Sequence, residues 1–297
     1  MPQNLDILVL LREVCDPKPP ARVGPGGGRI SDRGLRRLPN PADLVALEEA
    51  LCLAETAGGQ VTAAAVGPRG LEDLLRLAQA MGATRSIRVW DHALEDGDPV
   101  ADAAVLGRLQ EILKPDLFFS GNRLLDRGDD PALLLAAARK GVACVSAAVS
   151  LTLQGGQASV ERKSDRGARQ RVLANLPATV LFEADSREVR YPSHQAVMEA
   201  LECAIEVWGL PELGLPASAL GAAGAALPVV DYGFPRQQPL RVVTPDAQLP
   251  AFERVLALLS GGIKPREGKM HSDSATGAAD KLWKILEAEG LIPEGGR

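Results

Sequence analysis

The chain has 297 residues, 33 Lys+Arg against 38 Asp+Glu, a formal net charge of −5, and only 3% aromatic residues. The acidic balance argues against a protein that tracks nucleic-acid phosphates, and the scarcity of aromatics argues against a base-stacking platform. The length is at the upper end of what one hydrophobic core supports, which predicts one large α/β domain with appendages, or two domains.

The four cysteines, Cys15, Cys52, Cys144 and Cys203, and the three histidines, His92, His194 and His271, lie far apart. No Cys-x-x-Cys occurs and no Cys/His spacing suits zinc, so no metal site is expected. Lone cysteines read as reduced residues of a cytoplasmic protein. Residues 7–11 are too short for a signal-peptide core, and no window approaches the roughly 18 apolar residues that span a bilayer.

In chain order, the apolar run 5–11 predicts a buried strand. Residues 16–41 are rich in Pro and Gly and predict a long irregular segment. Asn40-Pro41-Ala42-Asp43 opens a helix to about residue 56, with Leu44, Leu47, Ala50 and Leu51 on one face. Strands follow at 61–66, 86–90, 116–120 and 142–145, alternating with helices at 71–81, 99–113 and 131–140. A strand–helix alternation with a period of roughly 30 residues marks a parallel, doubly wound sheet, whose ligands sit at the carboxyl ends of the strands. Those ends are residues 12–16, 66–68 and 121–130.

Beyond residue 145 the period changes. Residues 149–153 and 159–162 flank Gln154-Gly-Gly-Gln157 as a hairpin. Further strands at 170–173 and 178–182 would extend the sheet with an antiparallel portion. A helix is expected over 193–207, an extended arm over 210–240, and two more helices at 251–260 and 278–289. The domain reading is an α/β domain over 1–209, an arm and helix for partner contact over 210–260, and a C-terminal extension over 261–297.

Catalytic motifs are missing. Gly24-Pro-Gly-Gly-Gly-Arg29 is a poor dinucleotide fingerprint, because Arg29 stands where the third glycine belongs. There is no P-loop and no Gly-x-Ser-x-Gly elbow. Asp126, Asp129 and Asp130 suit either a ligand loop at the sheet edge or a helix cap before Pro131.

Four blocks carry a family resemblance: Leu38-Pro-Asn-Pro-Ala-Asp-Leu-Val-Ala-Leu-Glu-Glu-Ala-Leu51; Val66-Gly-Pro68 with Leu75-Arg-Leu-Ala-Gln-Ala-Met-Gly-Ala83; Lys114-Pro-Asp-Leu-Phe-Phe-Ser-Gly121; and Val160-Glu-Arg-Lys-Ser-Asp-Arg-Gly167 with Leu176-Pro-Ala178, Arg190-Tyr-Pro192 and Met198-Glu-Ala200. In this order and spacing the chain resembles the β subunit of electron transfer flavoprotein. The resemblance implies an α/β fold of the adenine nucleotide alpha hydrolase type. It also implies an α-like partner subunit that holds most of the FAD, an AMP or second FAD in the chain's own fold, and a loop that docks onto a flavin dehydrogenase or other redox partner. The chain would be an electron-carrier subunit rather than a catalyst with its own substrate.

Carried over position by position, the nucleotide contacts implied are Leu10, the turn Asn40, Pro41, Ala42 and Asp43, then Val66, and a loop with Arg123, Asp126, Gly128, Asp130, Pro131, Ala132 and Leu133. The docking residues implied are Tyr191, His194 and Val197, with His194 in place of the family's anchoring leucine. The loop departs from the family pattern. Gly128 replaces an aspartate, Ala132 lacks a hydroxyl, Leu133 replaces a glycine, Pro131 has no N–H to donate, and Asp129 and Asp130 add charge where a phosphate would lie. These departures motivate a second expectation, a scaffold subunit of a larger redox complex without AMP or second-FAD binding. A nucleotide sensor of the universal-stress type is a third reading, which the blocks after Val160 oppose.

Overall fold

Alternation along the first strand sets up the whole architecture. In β1 (Leu5–Leu10) successive side chains point to opposite faces. Leu5, Ile7 and Val9 enter one core, while Leu8 and Leu10 enter another. Helices α1 (Pro41–Ala57) and α2 (Glu72–Met81) cover the first face, and α3 (Pro99–Leu113) and α4 (Ala132–Lys140) cover the second. The computed structural model describes residues 5–19, 22–23, 30–31, 35–227, 230, 244–259 and 273–288. It divides into two units, Met1–Phe234 and Pro235–Arg297, each described by itself.

The other main strands are β2 (Gly59–Val66), β3 (Arg85–Val89), β4 (Leu117–Gly121), β5 (Ala143–Gln154), β6 (Gln157–Lys163), β7 (Arg169–Asn175), β8 (Ala178–Phe182) and β9 (Glu206–Trp208). They form one nine-stranded sheet in the order β7-β6-β5-β8-β4-β1-β2-β3-β9. Every pairing from β5 across to β9 is parallel. The hairpin β5–β6 and the pair β6–β7 are antiparallel. The expected α/β class, with its mainly parallel sheet and antiparallel addition, is the observed one. Phe119 of β4 and Phe182 of β8 meet edge to face at 5.0 Å between ring centroids. Full burial of each ring contributes about 2–3 kcal/mol.

Four expectations need correction. The strand at 178–182 is not part of the antiparallel portion: β8 inserts parallel between β5 and β4, and all five of its residues are buried. A strand covered on both faces has no reason to alternate. The strands at 142–145 and 149–153 are one strand, β5, whose pairing slips between Val145 and Ala148, with Ala147 at φ 57°. The helix expected over 193–207 stops early: α5 is His194–Glu202, and Glu206–Trp208 turns into the edge strand β9. A β-branched and an aromatic residue favour a strand there, and Arg85 of β3 holds Glu206 with two hydrogen bonds of 2.6 and 2.7 Å.

The fourth correction concerns the arm. Residues 210–224 are not extended but fold into short helices, α6 (Leu210–Leu213) and α7 (Gly221–Gly224), and Leu213 and Leu220 are fully buried in the second core. The N-cap of α3, Asp98, also accepts hydrogen bonds from the N–H groups of Ala226 and Leu227 at 2.8 Å each, which ties this segment down. The apolar residues of the segment, too sparse for periodicity, are spent on this packing. The Gly-rich run 24–29, most of 228–243 and residues 260–272 and 289–297 lie outside the described residues. In the second unit, α8 (Ala251–Leu259) and α9 (Ala275–Ala288) are described, with Phe252, Leu259, Leu282 and Ile285 exposed.

Candidate functional site

The strand order reverses at β1, which lies between β2 and β4. Ligands of doubly wound sheets bind at such a switch point, outside the carboxyl ends of the strands. A cavity of ≈ 670 Å³ opens there. Leu10 at the end of β1 and Arg12 just beyond it line the cavity, with Val66 at the end of β2, Trp90 after β3, Asp102 on α3, and Asp130 and Ala132 at the start of α4. Its charged wall has three arginines, Arg12, Arg37 and Arg127, and five carboxylates, Glu13, Glu95, Asp96, Asp102 and Asp130.

Arg12 organises the polar side. Its Nε and Nη2 form a two-pronged pair with Asp43 at 3.0 and 2.6 Å, and its backbone N–H reaches the same carboxylate at 2.9 Å. Its Nη1 meets Asp130 at 2.6 Å, and Nη2 also donates to Ser120 Oγ and the Gly121 carbonyl. Burial opposes the charge on this guanidinium. Asp43, and then Asp130, outweigh burial and hold its pKa above the usual arginine range.

Helix α1 comes close enough for this because β4 ends in glycine. A Cβ on Gly121 would lie 2.5 Å from the Ala42 Cβ and 2.6 Å from an Asp43 oxygen. Gly121 N–H instead donates to Asp43 at 2.7 Å.

The expected nucleotide contacts divide into two groups. Leu10, Val66, Asp130 and Ala132 line the cavity. The others serve the chain itself. Asn40 is buried and staples the loop after β4, donating to the Arg123 carbonyl at 3.0 Å and accepting from Leu125 N–H at 3.2 Å. Pro41 is the first residue of α1, and Ala42 is buried against Gly121. Asp126 accepts from Cys15 N–H at 3.0 Å, while its Oδ1 is buried without a hydrogen bond, 3.7 Å from Arg127 Nε. Gly128 sits at φ 82° in a short pairing with Leu124. Pro131 precedes α4, and Leu133 is buried in the second core.

Asp130 decides the character of the site. Its Oδ1 accepts from the Ala132 N–H at 3.0 Å, at the N-terminus of α4, while its Oδ2 takes Arg12. The helix N-terminus is where an anion is favoured, and here the chain's own carboxylate holds that position. The position that the AMP or second-FAD expectation assigns to a phosphate is thus filled by a carboxylate. Asp102, across the cavity, makes no side-chain hydrogen bond or ion pair among the described residues. Burial, then the charges of Asp130 and Asp98, push its pKa up to about 6.

No sequence motif points to Arg12. Its signal was available: a charged residue directly after a buried strand, at the switch point, needs a partner, and Asp43 and Asp130 both lie on segments that converge there.

The expected docking residues lie together on the surface. Tyr191 is 96% exposed, and His194 and Val197 are exposed at the start of α5, beside Met198 and Leu201. Arg76 of α2 donates to the Ala200 and Leu201 carbonyls at 3.1 and 2.9 Å and fixes the far end of α5. The segment before α5 is bolted to α1. Arg190 contacts Glu48 and Glu55, and Arg187 contacts Glu49 at 2.7 Å. Among the described residues no group of His, Cys, Asp and Glu could hold a metal ion, and no helix is long and apolar enough to cross a membrane.

The fold and site thus define a doubly wound α/β protein with a charged cavity at its switch point and a surface-presented segment before and on α5. Comparison with known proteins is more specific. The electron transfer flavoprotein domain model matches residues 28–213, and the chain belongs to that family. It is 29% identical over 212 residues to the electron transfer flavoprotein subunit beta of Bacillus subtilis, covering 71% of this chain and 81% of that protein. It is 30% identical over 198 residues to the subunit of the same name from Syntrophomonas wolfei, covering 66% and 77%. It is also 28% identical over 220 residues to Protein FixA of Azorhizobium caulinodans, covering 71% and 77%. Membership supports an electron-transfer, flavoprotein-type role, as the resemblance of the four blocks implied.

Proposed function

We propose that this chain is the β-like half of an electron transfer flavoprotein heterodimer. It pairs with an α-like subunit that holds most of the FAD, and the pair shuttles electrons in the cytoplasm between a flavin dehydrogenase and an acceptor. The observation that carries the reading is the family match over residues 28–213, together with curated relatives named as beta subunits. The bound flavin supplies the redox chemistry. The chain's own part is to shape the partner's site and to dock. Tyr191, His194 and Val197 form the docking face, and their exposure supports that role. The ion pairs of Arg187 and Arg190 with α1 hold the segment before that face in place.

Co-expression with an α-like subunit tests the reading. A stoichiometric complex with flavin absorbance that bleaches on reduction by a dehydrogenase is the expected result. A stable, flavin-free chain that ignores every α-like partner overturns it. One observation favours a second reading, a scaffold subunit with no redox turnover: the anion position of α4 is taken by Asp130. A complex that assembles but is not reduced would select the scaffold.

A further inference from the structure

We propose that Asp130 is the residue that excludes phosphate-bearing ligands from the switch-point cavity, by acting as an intramolecular anion with Arg12 as its counter-ion. This goes beyond the pairing reading and does not depend on it. Three observations converge. The carboxylate of Asp130 uses one oxygen for the Ala132 N–H of α4 and the other for Arg12 Nη1. Both Asp130 and Arg12 line the cavity, so the position they fill faces an entering ligand. Pro131, next in the chain, brings no N–H that could serve a second anion.

The electrostatics run the same way. Arg12, Asp43 and Asp130 together carry one net negative charge. Glu13, Glu95, Asp96 and Asp102 also face the cavity, against Arg37 and Arg127. A phosphate would have to displace a carboxylate already held by two donors and then sit among these remaining charges. Removing the Asp130 carboxylate changes both conditions. The Ala132 N–H and Arg12 Nη1 become available together, and Arg12 with Asp43 becomes a neutral pair. Two such charge-assisted donors are what a phosphate oxygen requires. The cavity as it stands suits ligands without a phosphate, with apolar surface against Leu10, Val66 and Trp90 and neutral or cationic groups toward the carboxylates.

The experiment is calorimetric titration of inorganic phosphate and of AMP into the full chain at fixed ionic strength. Wild type is expected to show no saturable binding. Asp130→Ala is expected to bind AMP saturably, at least about tenfold more tightly than the weakest affinity the titration resolves, the gain for one charge-assisted contact. A folded Asp130→Ala with no saturable binding overturns the proposal. Asp185→Asn, which removes one exposed carboxylate outside the cavity, is expected to leave binding unchanged. An equal gain in that variant would assign the effect to overall charge and overturn the proposal. If Asp130→Ala does not fold, Asp130→Asn removes the charge that holds Arg12 while keeping an acceptor for the Ala132 N–H. It is expected to bind AMP saturably, and a folded Asp130→Asn with no saturable binding overturns the proposal. A measurement on unaltered protein stands beside these: acid denaturation of the full chain should release no AMP or FAD, and one molar equivalent of either overturns the proposal. Partner pairing is read by co-purification alone, so either idea can fail without the other.

Discussion

Arg190 donates its backbone N–H and its Nε to the buried carboxylate of Glu48, at 3.1 and 2.8 Å. Two stretches of sequence separated by 142 positions are thereby joined at the base of the expected docking segment. Glu48 is 5% exposed, so its charge depends on this pairing. Removing one partner of a buried pair leaves the other uncompensated. Because Arg190 keeps Glu55 and some solvent contact, Glu48→Ala is expected to cost about 2–3 kcal/mol in urea unfolding. It should also loosen the segment carrying Tyr191, read as faster proteolysis there than in wild type. A loss below about 0.5 kcal/mol would show that the pair does not hold the segment.

The same pair sets a pH dependence. Burial raises the Glu48 pKa, and the hydrogen bonds from Arg190 outweigh it, so the folded value lies below the usual glutamate range. A depressed carboxylate stabilises the fold above its unfolded pKa of about 4.3, and this is lost as pH falls through the folded value. The stability gap between wild type and Glu48→Gln should therefore stay constant from pH 8 to about pH 5 and close below about pH 4. A gap that persists undiminished at pH 3 would contradict the assignment.

Asp102 behaves in the opposite sense. Its pKa is pushed up to about 6, by burial first and by Asp130 and Asp98 next, with Arg127 opposing. The folded chain holds this proton more tightly than the unfolded chain, so stability falls as pH rises from about 4 to about 6, and the full penalty applies above that. Asp102→Asn removes the penalty. Allowing for solvent screening, it should stabilise the protein by about 1–2 kcal/mol at pH 7.5 and by nothing at pH 4. Equal effects at both pH values would mean that packing, not charge, accounts for the change.

Much of the sheet was legible because strand and helix periods differ and the parallel strands read as short apolar runs. Where reading failed, tertiary contacts decided. Glu206, Val207 and Trp208 continue a helical pattern in sequence, yet Arg85 and the open edge of β3 draw them into the sheet. Leu213 and Leu220 sit in an Ala-, Gly- and Pro-rich stretch with no period, and only the packing against α3 identifies them as core. At the site, the acidic loop after β4 was visible as charge. Its meaning was not, because the partner of Asp130 is Arg12, separated from it by 118 positions. The cap expectation for Asp130 does not hold as stated: the N-cap of α4 is Pro131, and Asp130, one residue before it, accepts from the Ala132 N–H and pairs with Arg12 at once.

Gly121 marks a close approach of α1 to the sheet. Gly121→Ala would bring its Cβ to 2.7 Å from the Ala42 backbone carbon as well as onto Asp43. Backbone has no rotamer with which to yield, so α1 must shift and the Asp43–Arg12 geometry with it. A loss of about 2–3 kcal/mol is expected, with unchanged m-value in urea if the fold remains two-state. A variant within about 0.5 kcal/mol of wild type would show that α1 moves freely, contrary to the packed site described above.

Arg12 gives the strictest test of how the switch point is held together. Asp43 is almost fully buried, with 1% side-chain exposure, and Arg12 and Asp130 are exposed by only 15% and 18%. Arg12→Ala leaves two carboxylates facing each other without their cation and is expected to cost about 3–5 kcal/mol. Arg12→Lys should recover less than half of this, because an ammonium cannot span Asp43, Asp130, Ser120 and the Gly121 carbonyl at once. Asp130→Ala in the Arg12→Ala background relieves the repulsion, so the double variant should be more stable than the sum of the single losses by about 1–2 kcal/mol. Additive losses in that cycle would mean that Arg12 and Asp130 do not interact energetically, and the ion cluster would then be reduced to the Arg12–Asp43 pair alone.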